Sequence, residues 1–192
     1  MERVHERDAT PPAPGELELV RSFISLHDHV GDNPDSLAPS LESLQMWLRT
    51  KGLVSEDEPA TDGELRWAAG VLEDLREKVF EKAGEPADPA AVARLNAAAR
   101  RAGLEVRFAD GGNTRFETRE PGVRGAIGRL LGIAFLAELD GSWLSFKECG
   151  NPTCRTVFYD RSKNHSGKWC SMQSCGNRAK VRAFRERRAR TT

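Results

Sequence analysis

Cys149-Gly150-Asn151-Pro152-Thr153-Cys154 and, after a fifteen-residue spacer, Cys170-Ser171-Met172-Gln173-Ser174-Cys175-Gly176-Asn177 contain all four cysteines of this 192-residue chain. The pattern is C-x4-C-x15-C-x4-C within 27 residues. Two close thiol pairs on tight turns can place four soft ligands around one tetrahedral zinc ion. The other reading is two disulfides, or free thiols. A paired cluster in a reducing compartment favours metal. Cys149, Cys154, Cys170 and Cys175 are therefore the expected ligands of one structural zinc. Glycine after Cys149 and after Cys175 is expected to relax the backbone so that amides turn toward the sulfurs. His165 lies between the pairs, but with four thiols present it reads as a solvated loop residue. A site closed by four thiolates leaves no position for water or substrate, so it argues against a catalytic metal. Its main effect is to fold a segment too short to bury its own core.

The charge around the cysteines is lopsided. Residues 147–192 hold twelve Lys/Arg against three acids, net +9. Residues 1–146 hold seventeen against twenty-six, net −9, so a formal charge of zero conceals an acidic body joined to a basic tail. Such asymmetry implies a polyanionic partner for the tail.

The stretch after Cys175 lacks Gly and Pro from Asn177 to Ala189, and Asn177 can cap a helix there. At 100° per residue Arg178, Arg182 and Arg185 share one stripe. Val181 and Phe184 lie beside it and are expected to pack on the zinc core. An arginine-bearing helix of this kind suits a DNA major groove, where arginine bonds guanine O6 and N7. The remaining basic residues, Lys180 among them, can hold phosphates. Lys163 and Lys168, in a polar loop with Ser162, Asn164 and Ser166, can contact the nucleic-acid backbone as well. The bland alternative is a solvated charged helix, but seven Lys/Arg against one Glu between Arg178 and Arg190 exceed what solubility requires. Val181 and Phe184 make too thin an apolar face for a membrane partner. RNA stacking on Trp169 is the remaining nucleic-acid reading, although a tryptophan beside a metal ligand more often packs the core.

The segment quoted above, with Phe158-Tyr159-Asp160-Arg161-Ser162-Lys163-Asn164, Trp169-Cys170-Ser171-Met172 and Cys175-Gly176-Asn177-Arg178-Ala179-Lys180, resembles the CGNR zinc finger. The preceding 140 residues are similar to its usual companion, the ABATE domain, described as a stress-induced transcription regulator. The resemblance implies zinc binding and DNA binding. One departure stands out. The family pattern F-V-N-T meets Phe23-Ile24-Ser25-Leu26 here. If the Asn-Thr pair helps form a ligand pocket, that pocket is altered or lost in this chain.

Outward from the cysteines the pattern is helical. Met1–Gly15, with Pro11, Pro12 and Pro14, reads as a flexible lead-in. A helix is expected from near Glu16, carrying Leu19, Phe23, Ile24 and Leu26. Asp32–Pro39 reads as a polar loop. Ser40 is a suitable N-cap for a second helix with Leu41, Leu44 and Leu48 on one face, and Gly52 a suitable stop. Thr61 and Glu64 form a capping box before Leu65, Ala68, Leu72, Leu75 and Val79. Asp88-Pro89 opens a fourth helix, with Val92, Leu95 and Ala99 inward and Gly103 ending it.

Leu104, Val106 and Phe108 then alternate with Glu105 and Arg107. Asp110-Gly111-Gly112-Asn113 is a turn, and Phe116 lies on the returning strand of a β-hairpin. Ile127–Leu139 reads as the central buried helix, closed by Gly141. Trp143–Lys147 is expected to be a short strand. The fold class is thus mainly α with one β-hairpin: a helical domain over residues 16–140 and a zinc-stapled module over 143–190.

His27, Asp28 and His29 are the only enzyme-like cluster, and histidines at i and i+2 do not share a helix face. No glycine-rich phosphate cradle is present, and the expectation is that the chain is not an enzyme. Trp47 and Trp67 are expected in the core, or lining a small-effector pocket as the sharper alternative. No run approaches the roughly 20 apolar residues of a membrane span, and Met1–Gly15 lacks the apolar core of a signal peptide. The expected location is the cytoplasm. The leading reading is a DNA-binding transcription regulator with a sensing or homodimerising N-terminal domain. The alternative is a zinc-dependent protein-interaction or oligomerisation module.

Overall fold

A computed structural model of the chain describes residues 10–26, 39–80, 88–108, 114–151, 154 and 156–190. The expected loop over 32–38, the His27-Asp28-His29 cluster and the 110–113 turn lie outside the described residues.

The described residues form six α-helices and four short strands: α1 (Leu17–Ile24), α2 (Leu41–Thr50), α3 (Asp62–Phe80), α4 (Pro89–Arg101), β1 (Leu104–Phe108), β2 (Thr114–Thr118), α5 (Gly122–Leu139), β3 (Phe146–Glu148), β4 (Val157–Tyr159) and α6 (Asn177–Arg190). Local chemistry explains most boundaries. Ser40 Oγ accepts from the Ser43 amide to start α2. Gly52 and Gly103 follow α2 and α4 with φ of +63° and +60°, a region only glycine enters cheaply. The α3 capping box is reciprocal: the Glu64 amide donates to Thr61 Oγ1 (3.3 Å), and the Thr61 amide to Glu64 Oε2 (3.2 Å). Asp88 accepts from the Ala90 amide ahead of Pro89.

Helix α5 is the axis of the fold. It packs against α1, α3, α4 and the β1–β2 hairpin. It is apolar on nearly every side and mostly buried, although Phe135, Leu136 and Leu139 near its C-terminal end stay exposed. Phe23 and Ile24 of α1, Leu44 and Leu48 of α2, and Leu72 and Leu75 of α3 join Ile127 and Leu130 in the solvent-free core. Each such side chain contributes about 1.5–3 kcal/mol of burial. Trp47 meets Phe23 at 5.3 Å between ring centroids, while Trp67 sits at the edge under the Arg101 guanidinium. Asp74, almost buried on α3, accepts from Arg94 Nε of α4 at 2.6 Å and ties the two helices together.

The structure departs from expectation at four elements. Helix α5 begins at Gly122 rather than Ile127. Glycines at 122, 125 and 128 weaken the intrinsic helical signal, but close packing needs them. A Cβ on Gly128 would lie 2.3 Å from Thr118 Cγ2, and one on Gly125 would lie 2.2 Å from the Glu120 carbonyl oxygen. Residues 142–145 form a 3-10 turn, and the strand starts only at Phe146. That strand pairs antiparallel with β4 as a second two-stranded sheet besides the expected hairpin, with Lys147 opposite Phe158. On α4 the fully buried residues are Ala91 and Ala98, whereas Val92 is 39% exposed and Leu95 and Ala99 are half-buried.

The β3–β4 sheet belongs to the main core. Trp143, Phe146 and Val157 are buried in the same cluster as α1, α3 and α5. The cysteine cluster with Phe158 forms a second, smaller core beside it.

Candidate metal centre and nucleic-acid interface

The four cysteine sulfurs converge. All lie within 4.8 Å of one another, with Cys154 and Cys170 Sγ 3.6 Å apart and Cys170 and Cys175 Sγ 3.8 Å apart. Four ligands at ~2.3 Å around a tetrahedral ion lie about 3.8 Å from each other. The donor set fits zinc in both chemistry and spacing, and the separations are too long for disulfides. His165 stands outside the cluster, exposed in its loop at φ +45°.

Backbone turns position each sulfur. Cys149 follows directly from β3, and its amide donates to the Thr156 carbonyl (2.9 Å), extending the sheet by one rung. The Cys154 amide closes a turn on the Asn151 carbonyl (2.8 Å). Amides of Asn151 and Cys170 reach Cys149 Sγ, the Thr156 amide reaches Cys154 Sγ, and buried Asn151 donates from Nδ2 to Cys175 Sγ (3.6 Å). Such donors stabilise thiolates and orient them.

The amide that follows Gly150, that of Asn151, turns to Cys149 Sγ as expected, and the glycine has a second use. Gly150 and Gly176 do not adopt left-handed backbone. Gly150 lets two chains approach: its amide meets the Lys168 carbonyl at 2.7 Å, and a Cβ would sit 3.0 Å from that oxygen.

Four crowded sulfurs perturb one another. Hydrogen bonds from Cys149 and Cys170 hold Cys154 far below the usual thiol range. The same sharing with Cys154 pushes Cys149 up to about 11, and contact with Cys149 and Cys154 raises Cys170 still further. Cys149, Cys154 and Cys170 thus oppose one another's ionisation. A divalent cation removes that conflict, because it stabilises all four thiolates at once.

Beside the metal centre is a residue whose role the sequence did not reveal. Asp160, 4% exposed, accepts from Lys147 Nζ (2.7 Å), the Ser162 amide (2.9 Å) and the Gly167 amide (2.8 Å). Burial opposes its charge, but these donors outweigh burial and keep the carboxyl well below its usual range. Lys147 also donates to the His165 carbonyl. Asp160 thus closes the loop that exposes Arg161, Lys163 and Lys168. A glycine is required opposite it, since a Cβ on Gly167 would lie 2.7 Å from Asp160 Oδ1. The small-residue gap at 167 following an aspartate seven positions earlier was the available sequence signal.

Helix α6 grows straight out of the metal centre. A π-turn, Met172–Gly176, contains Cys175 and runs on into α6 without a break. Its N-terminal cap is Ser171, whose side chain accepts from the Ser174 amide. Asn177 is instead an interior helical residue whose Nδ2 donates to the Gln173 carbonyl (3.1 Å). Arg178, Lys180, Arg182 and Arg185 are all exposed. Val181 and Phe184 do not pack on the zinc core as expected: they are 49% and 54% exposed. The helix docks chiefly on the turn from which it emerges. Trp169 packs against the cysteine cluster.

Comparison with family models places this architecture. Residues 146–188 match the CGNR zinc finger. Residues 5–138 match the ABATE family, described as "Putative stress-induced transcription regulator". A search of curated proteins found no match. With the convergent cysteines in the finger and the helical body in front of it, the chain belongs to the ABATE family and carries a C-terminal CGNR zinc finger.

Proposed function

We propose that this chain is a cytoplasmic, non-enzymatic transcription regulator that binds DNA through its zinc-held module. The observation that carries the reading is α6: a helix whose described basic side chains are exposed, rooted at Cys175 of the sulfur cluster, in a stretch with seven Lys/Arg against one Glu from Arg178 to Arg190. Zinc supplies structural cohesion by neutralising and clamping four thiolates. The protein residues do the rest. Arg178, Arg182 and Arg185 form the stripe for base edges, and Lys180 holds phosphates. The Asp160-closed loop presents Lys163 and Lys168 to the nucleic-acid backbone. The N-terminal domain senses an effector or dimerises the reader; a single small basic module would bury little surface alone. No described helix is long and apolar enough to cross a membrane.

A second reading has its own observation. Val181 and Phe184 leave an apolar pair uncovered on α6, which a protein partner would cover in a zinc-dependent interaction or oligomerisation module. Selection from genomic DNA with the full, zinc-loaded chain, at near-physiological salt with nonspecific competitor, separates the two. Enrichment of a recurrent sequence is the expected result, and its half-site spacing reports the oligomer. Zinc-loaded protein that enriches no sequence overturns the DNA reading in favour of the interaction module.

A further inference from the structure

Helix α4 presents two apolar faces, and only one is covered by protein. Ala91 and Ala98 are buried, whereas Val92, Leu95 and Ala99 turn toward a cavity of about 380 Å³. Leu104 and Val106 of β1 and Phe116 of β2 form a second wall. Leu131, Ala134 and Phe135 of α5 form the third, with Phe135 edge-on to Phe116 at 5.4 Å. Leu75 of α3 completes the lining. The faces that periodicity marks as inward on α4 and β1 thus meet across space rather than side chain to side chain. The volume falls within the roughly 300–1,000 Å³ typical of small-molecule sites, and the apolar walls with few polar groups are their usual chemistry.

The polar groups narrow the occupant. Lys78 and Glu138 are engaged with each other at 3.4 Å, and Glu105 is engaged by Arg119 at 2.7 Å. The charged groups of the lining are thus neutralised within the chain, so a charged ligand would find no anchor here. Asn96 is the one uncharged polar side chain of the lining, able to donate and accept.

We propose that this cavity is the effector site of the N-terminal domain, and that its ligand is a neutral, largely apolar molecule with one hydroxyl or carbonyl, such as a phenol or an aryl ketone. The assignment rests on the sensing role given to this domain above. It places the site away from Trp47 and Trp67, neither of which lines the cavity. The route to the metal centre is short in sequence: α5 continues through the 142–145 turn into β3 and Cys149.

The test uses the full zinc-loaded chain without DNA, and 1-naphthol and naphthalene as probes followed by calorimetry and thermal shift. Saturable binding of one 1-naphthol per chain is expected, with a rise in melting temperature. Ala99→Phe, which fills the cavity from a half-buried position, should weaken it at least about tenfold, the scale of losing one buried ring contact. Asn96→Leu, at an exposed position, should weaken 1-naphthol about three- to tenfold and leave naphthalene unchanged, the signature of one lost hydrogen bond. Folded wild type that binds neither probe, or binding that Ala99→Phe leaves intact, overturns the proposal. So does sedimentation showing a dimer that Val106→Arg dissociates without any probe binding, since the cavity would then be an interface between copies. The readout contains no DNA. Probe binding without sequence enrichment keeps this site and rejects the DNA reading, and enrichment without probe binding does the reverse.

Discussion

Ser25 Oγ at the end of α1 donates at 2.8 Å to the carbonyl of Val157 in β4, 132 positions later, joining the first helix to the sheet beside the metal centre. This is the position at which the family pattern has asparagine. In this chain the residue is a clasp between the helical body and the finger.

Ser25→Ala should cost about 0.5–1.5 kcal/mol, the net worth of one hydrogen bond whose acceptor belongs to a fully buried residue. Hydrogen exchange should speed up first at β4 and α1. Urea denaturation gives the magnitude. Unchanged stability together with unchanged exchange at β4 would show that the clasp carries no energy.

Cys154→Ser should abolish stoichiometric zinc, measured by elemental analysis, while most helicity survives by circular dichroism. The shared core limits the damage: Phe146 and Val157 pack with α1 and α5, so β3–β4 should stay protected while 160–190 loses protection. A purified variant retaining one zinc per chain would refute the ligand assignment.

Arg178→Ala, Arg182→Ala and Arg185→Ala combined should weaken binding to the selected sequence by about 1–3 kcal/mol for each lost base contact and relax sequence preference, with little change in the slope of log affinity against log salt. Zinc content should not change. The cost to stability should stay within about 0.5 kcal/mol per residue, because these side chains are exposed. An unaltered affinity would remove the stripe from the interface.

Asp160→Asn should destabilise the finger by about 1.5–3 kcal/mol, the range for hydrogen bonds to a charged group. The native carboxyl titrates below its unfolded value of 3.8, so its contribution is complete above that value and fades as pH falls through the lower folded value. The gap between wild type and variant should therefore be constant from about pH 5 upward and narrow toward pH 3. Acid-driven metal loss affects both proteins, so the difference between them is the quantity to follow.

Gly125→Ala should destabilise by about 1–3 kcal/mol despite alanine's better helix propensity. The added methyl meets the backbone oxygen of Glu120, which cannot rotate away. A stabilised variant, by thermal melting, would mean that the start of α5 yields more readily than the packing indicates.

Patterns confined to neighbouring residues were legible in advance. The capping box at Thr61 and Glu64, the Ser40 and Asp88 caps and the Gly52 and Gly103 stops depend on one turn of chain, and the residues present leave few alternatives. The C-x4-C-x15-C-x4-C spacing likewise foretold the convergence of four sulfurs, because four soft donors in two close pairs have one preferred geometry. Other features required distant segments to meet. Gly125 and Gly128 look like helix breakers until Glu120 and Thr118 are seen against them. Strand β4 is only three residues long, too short for any periodicity, and its existence depends on pairing with β3. Val181 and Phe184 looked like core residues, but no described element covers them and they remain exposed. Asp160 acquires its role only when Lys147 and the Gly167 amide arrive from either side. The sequence by itself determined the local elements and the cysteine cluster, since both are set by short-range geometry and donor chemistry. Tertiary structure alone decided the α4–hairpin cavity, the Ser25–Val157 clasp and the freedom of α6, because each depends on whether a remote surface is present to fill the space.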